Sequence, residues 1–241
     1  MSDAPPPVDP TGLLLPELPL SRALIEGGGL EAMVARHAPT VRLLTQEERE
    51  QSLRDTLAVR PEGDVWVFGY GSLIWNPTFR SVERRIARID GWRRDFCLAA
   101  IAGRGSAERP GLMLGLREGG SCVGGAMRGA AAELEQELAV LWRREMVAAA
   151  YLPRWTALID EEGDAFGHAI TFTIDETGPH YAGALSRDVV VKRLATARGP
   201  LGSAAEYLFR TRDGLRTYGI ADPAMEALAE EVAARIGQDG A

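Results

Sequence analysis

The sequence predicts an α+β fold in which strands are concentrated ahead of the main helices. Two observations carry that reading. Residues 64–128 hold short apolar runs bounded by glycine and proline turns, whereas helical periodicity with capping signals dominates after residue 131. A third supports it: no regular alternation of strand and helix is visible, so a doubly wound parallel sheet is not expected.

Residues 1 to about 18 are proline-rich without a period and read as disordered or loosely draped. A short helix is expected within 20–37 around Ala23-Leu24-Ile25, broken by Gly27-Gly28-Gly29. Thr45 with Glu48 forms a capping-box pattern that opens a helix to about Ala58, and Arg60-Pro61-Glu62-Gly63 ends it. Residues 1–60 are therefore read as an N-terminal extension, partly disordered with one or two short helices, and 61–241 as the main domain. Strands are expected at 64–69, 82–90, 93–100, 112–118 and 122–128, with Gly103-Arg104-Gly105, Arg109-Pro110-Gly111 and Gly119-Gly120 as turn chemistry. A helix follows over 131–149, then strands at 154–160 and 168–174, then helices at 186–197, 203–212 and 222–236. Ser203 with Glu206 is a second capping box, and Asp222-Pro223 sets an N-cap before a proline at the first helical position.

Composition narrows the function. The chain has 241 residues, 46% of them hydrophobic and 25% charged, with a formal net charge of −7. That acidity argues against nucleic acid or an anionic membrane surface as partner. No apolar run is long enough to span a bilayer, and the proline-rich start lacks the charged and apolar regions of a signal peptide. Two cysteines, Cys97 and Cys122, make no disulfide framework and read as small core residues. His37, His168 and His180 are isolated, so no metal-ligand spacing is present. A reducing cytoplasm is the expected compartment.

The most informative stretch runs from Val67 to Pro77. The apolar strand Val65-Trp66-Val67-Phe68 enters Gly69-Tyr70-Gly71, followed by Ser72, Leu73, Ile74 and Trp75. Glycine permits close approach and positive φ, and successive free N–H groups form an anion-binding nest. A dinucleotide fingerprint fails because Ile74 stands where its last glycine belongs, and Pro77 blocks an easy helix start. No Gly-Lys-Ser/Thr follows, which excludes a P-loop. The choice left is a tight structural turn or a cradle for a small ligand. Tyr70 and Ser72 between the glycines favour the cradle.

Leu134, Leu138, Leu141 and Glu145 fall within about 60° of one another around a helix. Glu145 thus continues a core-facing stripe, while Glu133, Glu135 and Glu137 are expected on a solvated face. A carboxyl on such a stripe is costly to ionise, so its pKa should rise toward that of a general base. The alternative is a glutamate that reaches solvent or pairs with an arginine. Arg143 and Arg144 are adjacent in sequence, and neighbouring positions do not face each other on a helix.

Several blocks in order resemble one known family. They are Val67 to Pro77; Gly91-Trp92 with Arg94 and Phe96; Ala102-Gly103-Arg104-Gly105; Pro110-Gly111; Trp142-Arg143-Arg144-Glu145-Met146; Tyr151-Leu152-Pro153; Gly199-Pro200-Leu201-Gly202; and Glu206-Tyr207-Leu208-Phe209. Together they resemble the ChaC family of glutathione-specific γ-glutamylcyclotransferases over about 64–212. The resemblance implies a γ-glutamylcyclotransferase-like mixed β-barrel flanked by α-helices, which composition and period alone would not give. It implies glutathione as substrate, 5-oxoproline and cysteinylglycine as products, and no metal or organic cofactor. It also implies that Glu145 is the proton acceptor and that Val67, Phe68, Gly69, Tyr70, Gly71 and Ser72 form the substrate-binding segment, which Leu73 extends. Arg94 and Arg104 are candidates for a substrate carboxylate, or for ordinary ion pairs. Tyr207 is a candidate for the pocket wall, or for a plain helix contact. Other γ-glutamyl amines as substrates, or a non-catalytic γ-glutamyl sensor, stay open, and oligomeric state is not legible.

Overall fold

The computed structural model describes residues 20–239. The expectation of a disordered proline-rich start falls on residues outside the described ones. Where a single broken helix was expected, two form: α1 (Arg22–Glu26) and α2 (Gly29–His37). Ser21 caps α1 by accepting from the Leu24 N–H. Gly28, at φ 74°, makes the left-handed step between the helices. The Thr45–Glu48 capping box then opens α3 (Gln46–Ala58).

β1 (Val65–Gly69) is buried along its whole length. Its side chains alternate between two cores: Val65 and Val67 join the cluster under Leu138, Leu141 and Trp142, while Trp66 and Phe68 join the other. This explains an apolar run without polar alternation. The chain next turns into α4 (Ser72–Trp75), a single helical turn placed before Pro77, where no helix was expected.

β2 (Glu83–Ala100) and β3 (Gly111–Arg128) form one long antiparallel hairpin, paired from Glu83↔Arg128 to Ala100↔Gly111. Each was expected as two strands. The glycines that suggested breaks instead bend a continuous ladder: the register shifts between Asp90 and Trp92, around Gly91 at φ 84°, opposite Gly119 and Gly120, which also have positive φ.

α5 (Leu134–Glu145) follows, then β4 (Tyr151–Ile159) and β5 (Ala165–Ile174), which start or end within a few residues of expectation. The order β1-β3-β2-β4-β5 closes into a barrel, with β1 antiparallel to β3 and parallel to β5. The seam between β2 and β4 is narrow, a single pair at Arg88↔Ile159. α6 (Arg187–Thr196), the short pair β6 (Arg198–Gly199) and β7 (Gly202–Ser203), α7 (Ala204–Thr217) and α8 (Pro223–Asp239) complete the order. Their apolar faces bury against the barrel core that holds Trp66 and Phe68. α5 covers the opposite core: Leu138 and Leu141 are essentially inaccessible, each burial contributing about 1.5–3 kcal/mol. Trp142 packs edge-on against Phe172 of β5 at 5.1 Å and donates to the Ser52 hydroxyl of α3. α5 is thereby seated so that its last residue, Glu145, stands beside the turn after β1.

Glu137 departs from the expected solvated face. It is 1% exposed and accepts from the Arg22 guanidinium at 2.6 Å and from the Arg80 N–H at 2.8 Å. Burial alone would raise its pKa, but these bonds hold the carboxyl below its usual range. The helix face it occupies is not solvent but the contact with α1.

Candidate active site

The turn after β1 and the end of α5 meet at a small polar cavity. Tyr70, Gly71, Ser72, Leu73, Leu114, Glu145, Tyr151, Phe172 and Tyr207 line it. Among the described residues lining it, Glu145 is the one carboxylate.

The two glycines of the turn serve close approach rather than positive φ. Gly71 lies at φ −136°, and a Cβ there would come within 2.8 Å of the Tyr207 hydroxyl. A Cβ on Gly69 would stand 3.1 Å from the Leu73 Cβ. As the first residues of α4, Ser72 and Leu73 have N–H groups with no intrahelical acceptor.

Glu145 is largely buried, its side chain 13% exposed. Its Oε1 lies 2.9 Å from Arg144 Nε, so the adjacent arginine does pair with it. This corrects the expectation drawn from helix spacing: at the last residue of α5 two long side chains curl to the same side. The contact is nonetheless charge beside charge, since Oε1 accepts no hydrogen bond among the described residues. Burial pushes the Glu145 carboxyl above its usual range, and the Arg144 charge opposes that only in part. Arg144 is itself held rigidly. Its guanidinium donates to the Ser72 hydroxyl at 2.8 Å, to the Thr78 hydroxyl at 2.9 Å and to the Asn76 carbonyl.

Three tyrosines surround the carboxylate. Tyr70 donates to the Phe172 carbonyl at 2.8 Å and Tyr151 to the Leu114 carbonyl at 3.0 Å, while the Tyr207 hydroxyl accepts from the Leu114 N–H at 3.4 Å. Burial raises all three phenols, Tyr207 to about 12, so they remain protonated and offer no base near neutral pH.

The candidate residues read from the sequence divide into two groups. Tyr70, Gly71, Ser72, Leu73, Glu145 and Tyr207 come together at the cavity. Val67, Phe68 and Gly69 do not reach it: they are strand residues paired with β3, and Val67 also with β5. Arg94 is also elsewhere, behind the turn rather than on the cavity wall. Its guanidinium is committed to the Tyr70 carbonyl at 2.7 Å, the Asp222 carboxylate at 2.6 Å and the Val123 carbonyl at 2.7 Å. Arg94 thus pins the turn from behind. Arg104 lines a larger adjoining cavity, but it is buried against Glu206 at 3.1 Å and the Ser203 carbonyl at 2.9 Å. Sequence reasoning gave no role to Arg144 or Tyr151. The one available signal for Tyr151 was its place at a strand start just after the helix that carries Glu145.

A closed barrel flanked by helices, with a buried carboxylate facing a glycine turn, defines an enzyme-like small-molecule site. Comparison with known proteins makes the class specific. The model of the ChaC-like protein family matches residues 65–235, and the chain belongs to that family. It is 44% identical over 187 residues to the glutathione-specific γ-glutamylcyclotransferase of Escherichia coli K12, spanning 77% of this chain and 80% of that one. It is 34% identical over 157 residues to γ-glutamylcyclotransferase 2-1 of Arabidopsis thaliana, spanning 61% and 71%. A crystal structure of the yeast γ-glutamylcyclotransferase specific to glutathione superposes with a TM-score of 0.64 at 20% identity, over 71% of this chain and 96% of that one. The fold is therefore the γ-glutamylcyclotransferase-like mixed barrel with flanking helices.

Proposed function

We propose that this protein is a γ-glutamylcyclotransferase that cleaves glutathione into 5-oxoproline and cysteinylglycine, with Glu145 as proton acceptor. The observation that carries the residue assignment is the Glu145 carboxyl itself. It is buried, raised in pKa, and lines the cavity beside the turn from Tyr70 to Leu73. Family membership and the names of the relatives support the same reading.

The chemistry is intramolecular. The α-ammonium of the γ-glutamyl group gives a proton to Glu145, and the resulting amine attacks its own γ-carbonyl carbon. A new C–N bond closes the lactam as the attacking nitrogen sheds its second proton, the old amide C–N bond breaks, and the departing nitrogen gains two protons, relayed through Glu145, to leave as the ammonium of cysteinylglycine. Neither water nor a protein nucleophile is consumed. Most of the acceleration then comes from holding a folded substrate, which reaches about 7–11 kcal/mol in the best intramolecular cases. Proton transfer by a positioned base adds roughly 10²–10⁴-fold. We assign the N–H groups from Gly71 to Leu73 to the substrate's negatively charged oxygens. Tyr70, Tyr151 and Tyr207 shape the surrounding wall, and Arg144 fixes the carboxylate and Ser72 together.

Among the described residues no helix is long and apolar enough to cross a membrane. We assign the protein to the cytoplasm, a reading supported by its free, buried cysteines; burial pushes the Cys97 thiol up to about 12 and raises Cys122 as well.

The test is incubation of the purified protein with glutathione, followed by detection of 5-oxoproline and cysteinylglycine. Both products are expected. Absence of product with the parent chain, or equal product from Glu145→Gln, would refute the proposal.

A further inference from the structure

The polar cavity adjoins a second, larger one, and Ser72, Glu145, Tyr151 and Tyr207 line both. The second is mostly aliphatic. One side of its wall comes from the N-terminal segment: Leu30, Met33 and Val34 of α2, with Val41 beyond it. These residues lie outside the family match at 65–235.

The segment is a fixed part of the molecule rather than a draped tail. Leu30, Met33 and Val34 are almost inaccessible and pack with Ala102, Val147 and Leu201. Arg22 bonds to Glu137, and Arg143 donates to the Glu26 carbonyl at 2.7 Å, which fastens α1 to α5. Arg49 of α3 pairs with Glu31 of α2 at 3.1 Å. The Leu44 N–H bonds to the Val147 carbonyl, two residues beyond Glu145.

This inference rests on the reading of the site given above. If the γ-glutamyl group occupies the polar cradle and the scissile amide lies at Glu145, the leaving amine points into the aliphatic cavity. Cysteinylglycine presents only one methylene and a sulfur to that wall, and an aliphatic surface of this extent has more to offer. We propose that Leu30, Met33, Val34 and Val41 form an apolar selectivity wall for the leaving group, and that the protein also cleaves glutathione bearing an alkyl thioether on its sulfur. The bonds made and broken are those of the parent reaction. The C–S bond is untouched, and the product beside 5-oxoproline is the S-alkyl cysteinylglycine.

The experiment compares kcat/KM for glutathione and S-butylglutathione using the full chain. The parent is expected to give a ratio, S-butyl over glutathione, of at least about one tenth. Met33→Trp fills the wall and is expected to lower that ratio at least tenfold. Met33→Ala empties it and is expected to shift preference from S-butyl toward S-hexylglutathione, which keeps the proposal testable if the tryptophan variant does not fold. Cleavage of glutathione without cleavage of S-butylglutathione overturns the wall, as does a pair of ratios that neither variant moves. Failure to cleave glutathione at all overturns the underlying function instead.

Discussion

Arg144 Nε lies 2.9 Å from Glu145 Oε1, yet that oxygen accepts no hydrogen bond among the described residues. The pair is therefore a charge contact in which Oε1 is buried against the arginine while the carboxyl lines the cavity. Arg144 opposes the rise in the Glu145 pKa that burial produces. Removing the charge in Arg144→Gln should raise the carboxyl further and move the acid limb of the kcat/KM profile to higher pH. Arg144→Lys keeps the charge and should leave the limb near its parent position even where kcat falls. A limb unmoved by the glutamine variant would refute the coupling.

Glu145→Gln removes the base while keeping the shape. Turnover of glutathione should fall by at least about 10²-fold, with substrate binding largely kept. Stability should move the other way. A carboxyl raised in the folded state holds its proton there after the unfolded chain has released it. The native fold therefore loses stability as pH climbs from the ordinary glutamate range through the raised value. The glutamine variant escapes that loss. The Tm difference, variant minus parent, should therefore grow in the variant's favour from acid pH to pH 8, on top of a pH-independent cost of leaving Arg144 without its counter-charge; thermal melts across pH separate the two.

Gly71→Ala places a methyl 2.8 Å from the Tyr207 hydroxyl. Overpacking of this kind costs about 1–3 kcal/mol. Tyr207→Phe in the same chain removes the opposing oxygen and should recover a large part of the loss. A double-mutant cycle by chemical denaturation reads the coupling directly, and strictly additive effects would contradict the contact.

Arg94 holds the Tyr70 carbonyl, Val123 and Asp222 together, with its side chain 9% exposed. Arg94→Met leaves Asp222 without its partner and should cost about 3 kcal/mol or more. Because Arg94 touches the back of the turn, kcat/KM should fall less than in Glu145→Gln. An equal or greater loss in kcat would place Arg94 in the chemistry after all.

How much of this was legible depends on what each signal measures. The caps at Thr45 and Ser203 located helices well because capping is local, although only the first is a full capping box: the Glu206 carboxylate pairs with Arg104 instead of reaching back to Ser203. Glu145 was legible because a stripe of leucines fixes a helix face. The breaks assigned at Gly91 and Gly119-Gly120 were not breaks, since a glycine bend within a ladder and a turn between strands look alike in sequence. Glu137 looked solvated because Arg22, its partner, lies 115 positions away. Arg94 and Arg104 carried no sequence mark of being saturated by Asp222 and Glu206, which only tertiary packing brings near. Barrel closure was likewise invisible to periodicity, and only the family resemblance anticipated it.

Closure has a consequence for when this chain becomes competent. β1 completes the barrel by pairing Val65 with His168 of β5, and Tyr70 is fastened to the Phe172 carbonyl of the same strand. The turn that follows β1 therefore lacks one of its anchors until a strand made a hundred positions later has arrived. Contacts of such long separation form late, because the intervening loop must be closed before they return any energy. During synthesis a chain that has not yet reached β5 carries the cradle without this anchor, and Glu145 without the β5 surface under Trp142. A chain ending before β5 is therefore expected to be inert toward glutathione, and the appearance of activity during refolding should track barrel closure.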